Sequence, residues 1–159
     1  MPAAGSAFAK GQCTTMSIRS SAKQLAVLVV DDEALVAMVL EDLLLNLGCE
    51  VVGPAGDVSS AIDLIANGDR AIDGAILDVN LRGELVYPVA DALQRRGVPF
   101  VFVSGYAGYG IDPRYAAIPA IAKPFPAKMI DDIVASFEQQ RRAKLEDEDG
   151  RVVNFSRTS

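Results

Sequence analysis

A chain of 159 residues fits one folded domain and leaves little room for a second. Apolar residues make up 50% and charged residues 23%, enough material for a core, so disorder throughout is excluded. The formal net charge of −6 argues against direct binding of nucleic acid, because a DNA-binding face gains affinity by releasing counterions from phosphates onto Lys and Arg. The chain has no His, which excludes Ser-His-Asp and Cys-His sites, imidazole metal clusters and a phosphohistidine of its own.

Cys13 and Cys49 lie far apart and form no metal-ligand spacing, so a disulfide framework and a zinc site are not expected, and a reducing cytoplasm is. Residues 1–21 mix Ala, Gly, Ser and Thr and lack the apolar core of a signal peptide. They read as a disordered leader, with Met16 a candidate natural start. No apolar run is long enough to cross a bilayer, so membrane insertion is not expected.

Residues 25–30 (LAVLVV) are apolar throughout and rich in β-branched Val, the pattern of a strand buried on both faces of a parallel sheet. The run stops at Asp31-Asp32-Glu33. Leu35, Val36, Val39, Leu40, Leu43, Leu44 and Leu47 then recur at helical spacing, and Gly48 supplies a stop. Val51 and Val52 open a second strand that Gly53-Pro54 ends or distorts. Residues 58–66 form a second helix with Ile62 and Ile65 facing inward.

Residues 75–77 are a third strand running into Asp78, followed by 79–83 as a loop. Residues 87–96 read as a third helix, with Val89, Ala90 and Leu93 on its apolar side and Gly97 as terminator. A fourth strand at 100–103 reaches Ser104. Three glycines and two prolines in 105–119 leave the fourth helix short or absent. Ile121 and Ala122 make a brief fifth strand before Lys123-Pro124-Phe125, and a last helix starts at Pro126 and ends near Arg142. Residues 143–159 read as a disordered polar and acidic tail, leaving 22–142 as the folded domain.

Alternating strands and helices imply a parallel sheet covered on both faces, with the working groups at the carboxyl ends of its strands. Those ends carry Asp31, Asp32, Asp78, Ser104 and Lys123. Carboxylates gathered this closely repel, and a divalent cation resolves the conflict; oxygen ligands favour Mg²⁺ or Mn²⁺. Asp32 and Asp78 would ligate directly, Asp31 through water, and the backbone carbonyl of Asn80 would complete the protein's share. A free oxygen of Asp78 can then attack phosphorus in line and form an acyl phosphate, with Lys123 neutralising the equatorial oxygens. Ser104 would donate a hydrogen bond to the new phosphoryl group and draw its loop inward.

Singly, each element has an ordinary explanation. Acids after a strand suit a helix N-terminus, Asp78 could form a turn, and Ser104-Gly105 could do the same. Their joint occurrence at successive strand ends is what indicates a site. Asp31-Asp32-Glu33, Leu77-Asp78-Val79-Asn80-Leu81, Ser104-Gly105 and Lys123-Pro124-Phe125 resemble the signature of the response-regulator receiver family over residues 22–140.

The resemblance implies a flavodoxin-like, doubly wound five-stranded fold and phosphorylation of Asp78 by a histidine kinase or a histidine phosphotransfer protein. It also implies a cis bond before Pro124. Residues 99–106 (PFVFVSGY) are similar to the Pro-Phe-x-Phe-Ala-Thr-Gly-Tyr motif of single-domain receivers of alphaproteobacteria, which are associated with kinases of the HWE and related classes. One departure is Ala120, where most receivers carry the aromatic residue that rotates on activation. Tyr106 could cover the pocket by packing or take part in signalling. Two other functions compete with the phosphoacceptor reading. An aspartate-nucleophile phosphatase needs a second Asp where Asn80 stands. A non-phosphorylated pseudoreceiver would not need the full set of site residues.

Overall fold

The computed structural model describes residues 24–68, 71–105 and 111–158, with side chains described as far as residue 147. The expected leader, 1–21, and Tyr106 lie outside the described residues.

The chain order is β1 (Ala26–Val30), α1 (Ala34–Asn46), β2 (Glu50–Ala55), α2 (Val58–Asn67) and β3 (Gly74–Asp78). Two-residue strands β4 (Asn80–Leu81) and β5 (Glu84–Leu85) follow, then α3 (Tyr87–Arg95) and β6 (Phe100–Ser104). A single 3-10 turn (Pro113–Tyr115), β7 (Ala120–Ala122) and α4 (Ala127–Thr158) complete it. Strands β2-β1-β3-β6-β7 form one parallel sheet in that order, the flavodoxin-like arrangement. Every residue of β1, β3 and β6 is buried, as continuous apolar runs require when helices cover both faces. Alternate side chains go to opposite faces. Leu28, Leu77 and Phe102 pack under α2 and α3, while Val27, Ile76 and Val103 pack under α1 and α4.

Local chemistry sets the element ends. Asp57 accepts a hydrogen bond from the Ser60 backbone N–H at 2.8 Å and caps α2. Gly48, at φ +82°, takes the left-handed conformation that ends α1. Gly74 is needed for a different reason: a Cβ there would run into the ring of Phe137, so the bare backbone lets α4 settle on β3. The Lys123-Pro124 bond is cis, in line with the resemblance, and so is Gly53-Pro54. At the latter the β1/β2 register shifts, so the strand is distorted there and continues to Ala55.

Three expectations need correction. Residues 79–83 are not simply a loop: Asn80 pairs with Leu85 and Leu81 with Glu84 in a small antiparallel hairpin. Its turn uses Arg82 at φ +56° and Gly83 at φ +91°, and the Asn80 side-chain oxygen accepts from Gly83 N–H at 2.6 Å. A two-residue ladder has no periodicity to read. In α1, only Ala37, Leu40 and Leu44 are fully buried, while Leu35 (76%) and Met38 (62%) stand exposed. A helix apolar nearly all round does not declare in its spacing which stripe meets the sheet.

The third correction concerns α4, which runs on to Thr158 instead of ending near Arg142. Residues 143–148 (AKLEDE) are mostly good helix formers, with no Pro to stop them. The segment propagates an existing helix, which costs far less than nucleating one. Burial was therefore not required; Leu145 is 57% exposed.

Where a fourth crossover helix would lie, the described residues hold only the 3-10 turn, pinned by Tyr115. Its ring stacks on Tyr87 at 5.2 Å and meets Phe102 edge-on at 5.6 Å. The Tyr115 hydroxyl donates to the Asp91 carboxylate, and Tyr87 Oη accepts from Asp112 N–H at 2.7 Å. Burial, with Asp91 adding to it, pushes the Tyr115 hydroxyl up to about 12, so it remains a donor at neutral pH. Tyr115→Phe keeps the ring and removes this bond, at an expected cost of about 1–2 kcal/mol. Urea titration of Tyr115→Phe, Asp91→Ala and the double variant checks it: the double should lose little more than either single.

Candidate functional site

The carboxyl ends of β1, β3 and β6 and the residue after β7 meet at one end of the sheet, and there the sequence placed its polar residues. Asp31 and Asp78 are buried, an expensive position for two acids unless something compensates. Lys123 is that compensation. Its Nζ lies 3.1 Å from Asp31 Oδ2, 3.2 Å from Asp78 Oδ2 and 2.7 Å from Glu33 Oε1.

Backbone contacts hold these side chains in place. Lys123 N–H donates to the Ser104 carbonyl at 2.9 Å, tying β7 to the end of β6. Asp31 Oδ1 accepts from Glu33 N–H at 2.8 Å, and Asp78 Oδ1 accepts from Asn80 N–H at 3.3 Å. Each acid thus spends one oxygen on the chain just after it and turns the other toward Lys123. Ser104 is buried at the end of β6.

The electrostatics follow. Burial, and then the neighbouring Asp31, push the Asp78 carboxyl up to about 6 against the pull of Lys123. Burial opposes the charge on Lys123, but Glu33, Asp31 and Asp78 outweigh it and hold the ammonium well above the ordinary lysine range. Lys123 therefore stays charged throughout the working pH range.

Of the residues expected at the site, Asp31, Asp78 and Lys123 are in direct contact, and Ser104 and Asn80 join through their backbones. Asp32 is not among the carboxylates so gathered. The cluster with oxygens all within 4.8 Å of one another is Asp31, Glu33 and Asp78, while Asp32 Oδ2 pairs with Arg82 Nε at 3.5 Å. In the sequence Glu33 stands only as part of the Asp31-Asp32-Glu33 run, with no site role, and Arg82 is not singled out. Glu33 directly follows the Asp pair but reads equally well as a first-turn acid, and Arg82 sits in a turn whose geometry no spacing reveals.

These residues fit a hard divalent cation. The donor set is all oxygen. Asp31 Oδ2 is buried with the Lys123 ammonium, 3.1 Å away, as its ion-pair partner, and it makes no further hydrogen bond among the described residues. Asp31, Asp32, Glu33 and Asp78 face only Lys123 and Arg82 among the pairs described here, so two negative charges are left over.

A five-stranded parallel sheet with this acid and lysine cluster at its carboxyl end defines a receiver-type module. No family model matches the chain. It is 44% identical over 73 residues to the nitrate/nitrite response regulator protein NarP of Escherichia coli, covering 45% of this chain and 33% of that protein. It is 40% identical to the solution structure of SdrG from Sphingomonas melonis, with TM-score 0.62 over 72% of this chain and 96% of SdrG. SdrG is also known in a BeF3-activated conformation. The receiver domain of the response regulator PhyR from Erythrobacter litoralis is 25% identical, with TM-score 0.59 over 72% of this chain and 89% of that one. The chain belongs to the response-regulator receiver family. It spans about half or less of the curated relatives it matches.

Proposed function

We propose that this chain is a single-domain response regulator, with residues 22–142 as the receiver, that takes a phosphoryl group onto Asp78 from a phosphohistidine of a histidine kinase or phosphotransfer protein. The carrying observation is the buried Asp78 oxygen 3.2 Å from Lys123, beside a carboxylate cluster that needs a further cation. The absence of His in the chain accords with a donor histidine on a partner. The BeF3-activated conformation of SdrG, 40% identical to this chain, adds support. Kinases of the HWE and related classes are the proposed donors, on the strength of the 99–106 motif.

In this reading the unprotonated Asp78 carboxylate is the nucleophile. Its oxygen forms the bond to phosphorus as the donor's nitrogen leaves with the bonding pair. Lys123 lies against that oxygen and would meet charge on the transferred group, and Ser104, at the end of the adjacent strand, would donate to it. Asp31, Asp32 and Asp78 with the Asn80 carbonyl would hold Mg²⁺ or Mn²⁺, which when bound would neutralise the carboxylates and the phosphoryl oxygens; Glu33 is a further candidate ligand. In this reading the chain acts as a phosphoacceptor rather than a turnover enzyme, and it would meet its partner histidines in the cytoplasm. Among the described residues no helix is long and apolar enough to cross a membrane.

Purified protein mixed with Mg²⁺ and acetyl phosphate and weighed intact tests this. One added phosphoryl mass is expected for the wild type and none for Asp78→Asn or in excess chelator. No gain, or a gain retained in Asp78→Asn, would overturn the assignment.

A further inference from the structure

Lys123 is engaged by Asp31, Glu33 and Asp78, and the cation recorded against Asp32 is Arg82. Arg82 comes from an unusual place. It is the left-handed residue of the β4/β5 turn, four positions beyond Asp78, in a hairpin closed by two residue pairs and by the Asn80 side chain on Gly83 N–H. That turn fixes the Cα of Arg82 while its side chain stays 80% exposed, and its Nε lies 3.5 Å from Asp32 Oδ2. Asp32 by contrast is 16% exposed at its side chain. A firmly placed stem, a solvent-facing guanidinium and a long contact describe a counter-ion that can be displaced without disturbing the fold.

We propose that Arg82 holds Asp32 until a divalent cation takes that carboxylate, and that the guanidinium so freed then binds the phosphate oxygens of the incoming donor. The inference rests on the receiver reading above. Asp32 cannot serve both cations fully, so Arg82 lowers affinity for the metal. Once released, the guanidinium, carried four residues beyond Asp78 on the β4/β5 turn, offers donors spaced for two oxygens of one phosphate, a geometry lysine does not offer. Arg82 is therefore a positioning residue toward the cation and a recognition residue toward the donor.

Mg²⁺ binding to wild type, Arg82→Gln and Arg82→Lys, followed by calorimetry without any phosphodonor, tests the first half. An exposed ion pair of this kind corresponds to about a threefold effect. Arg82→Gln is thus expected to bind Mg²⁺ about threefold more tightly at low salt, with the difference fading as salt screens the pair, and Arg82→Lys to stay close to wild type. At saturating Mg²⁺, Arg82→Gln should need severalfold more acetyl phosphate for half-maximal phosphorylation, with Arg82→Lys intermediate. Unchanged Mg²⁺ affinity in Arg82→Gln, with a wild type that binds Mg²⁺ and is phosphorylated, would overturn this inference alone. An unchanged acetyl phosphate requirement would overturn its second half. A wild type that neither binds Mg²⁺ nor gains a phosphoryl group would remove the receiver reading itself.

Discussion

Phe102→Ala is expected to cost the fold about 3–5 kcal/mol, the range for deleting a buried aromatic side chain. Phe102 is fully buried in β6, the strand that joins the middle of the sheet to β7. Its ring meets Phe100 at 5.5 Å, Tyr115 at 5.6 Å and Tyr87 at 6.1 Å, all edge-on. Removing it therefore opens a cavity that three rings line, and stiff aromatic walls collapse poorly into such a space. The effect also reaches the site. Tyr115 loses the floor that seats the 111–118 segment, and Ser104 follows Phe102 by two residues on the same strand. Against a domain stability of about 5–15 kcal/mol, a loss of this size should lower the urea midpoint sharply without changing the slope. Phe102→Leu should lose less than half as much. A Phe102→Ala midpoint within experimental error of wild type would show that the aromatic cluster is not where the core's stability resides.

Lys123→Met is expected to cost a comparable amount, about 3–5 kcal/mol at pH 8 in chelator, because it leaves Asp31 and Asp78 buried together without their cation. The pH dependence distinguishes this from lost packing. The folded-state pKa of Asp78 is raised to about 6 even with Lys123 present, above the ordinary carboxylate value of about 3.9 in an unfolded chain. The folded state therefore binds that proton more tightly than the unfolded state. Stability from this group is fully present below the unfolded value and is lost as pH rises through the folded one. Without Lys123 the folded pKa climbs further, so the variant should recover most of its deficit as pH falls from 8 to 5. Excess Mg²⁺ at pH 8 should restore part of it by binding the native cluster. A deficit that stays constant from pH 8 to pH 5, followed by thermal or urea unfolding, would mean that Lys123 acts through its alkyl stem and not its charge.

The parts of the fold that were legible beforehand are those whose chemistry is local. Runs such as Ala26–Val30 and Phe100–Ser104 name themselves as buried parallel strands, and the polar residues at their ends follow from sheet topology. Asp31, Asp78 and Lys123 could be brought together on that basis alone. What escaped was set by tertiary geometry. Glu33 reaches Lys123 from 90 residues away, and nothing in its neighbourhood distinguishes it from a helix-starting acid. Arg82 faces Asp32 because a left-handed turn aims it there. Tyr115 reads as an unremarkable residue of a Gly/Pro-rich loop, yet it is buried to 1% exposure as that loop's anchor. The length of α4 is hidden for the opposite reason: helix propagation along 143–158 needs only propensity and leaves no apolar pattern to read.

Position 120, where most receivers carry an aromatic residue, holds Ala in this chain. Ala120 is exposed at the start of β7 and offers nothing to rotate inward. The aromatic cluster lies instead around Phe102 on the neighbouring strand β6, with Tyr87 at the start of α3 and Tyr115 in the 3-10 turn.

The most direct measurement is chemical location of the phosphoryl group. Protein treated with Mg²⁺ and acetyl phosphate is reduced with borohydride, which converts an aspartyl phosphate to homoserine, and its peptides are then sequenced by mass spectrometry. Homoserine at position 78, in the phosphodonor-treated sample only, is the expected result. Reduction at another carboxylate, or an unmodified Asp78 in protein that has gained the phosphoryl mass, would contradict Asp78 as the phosphoacceptor.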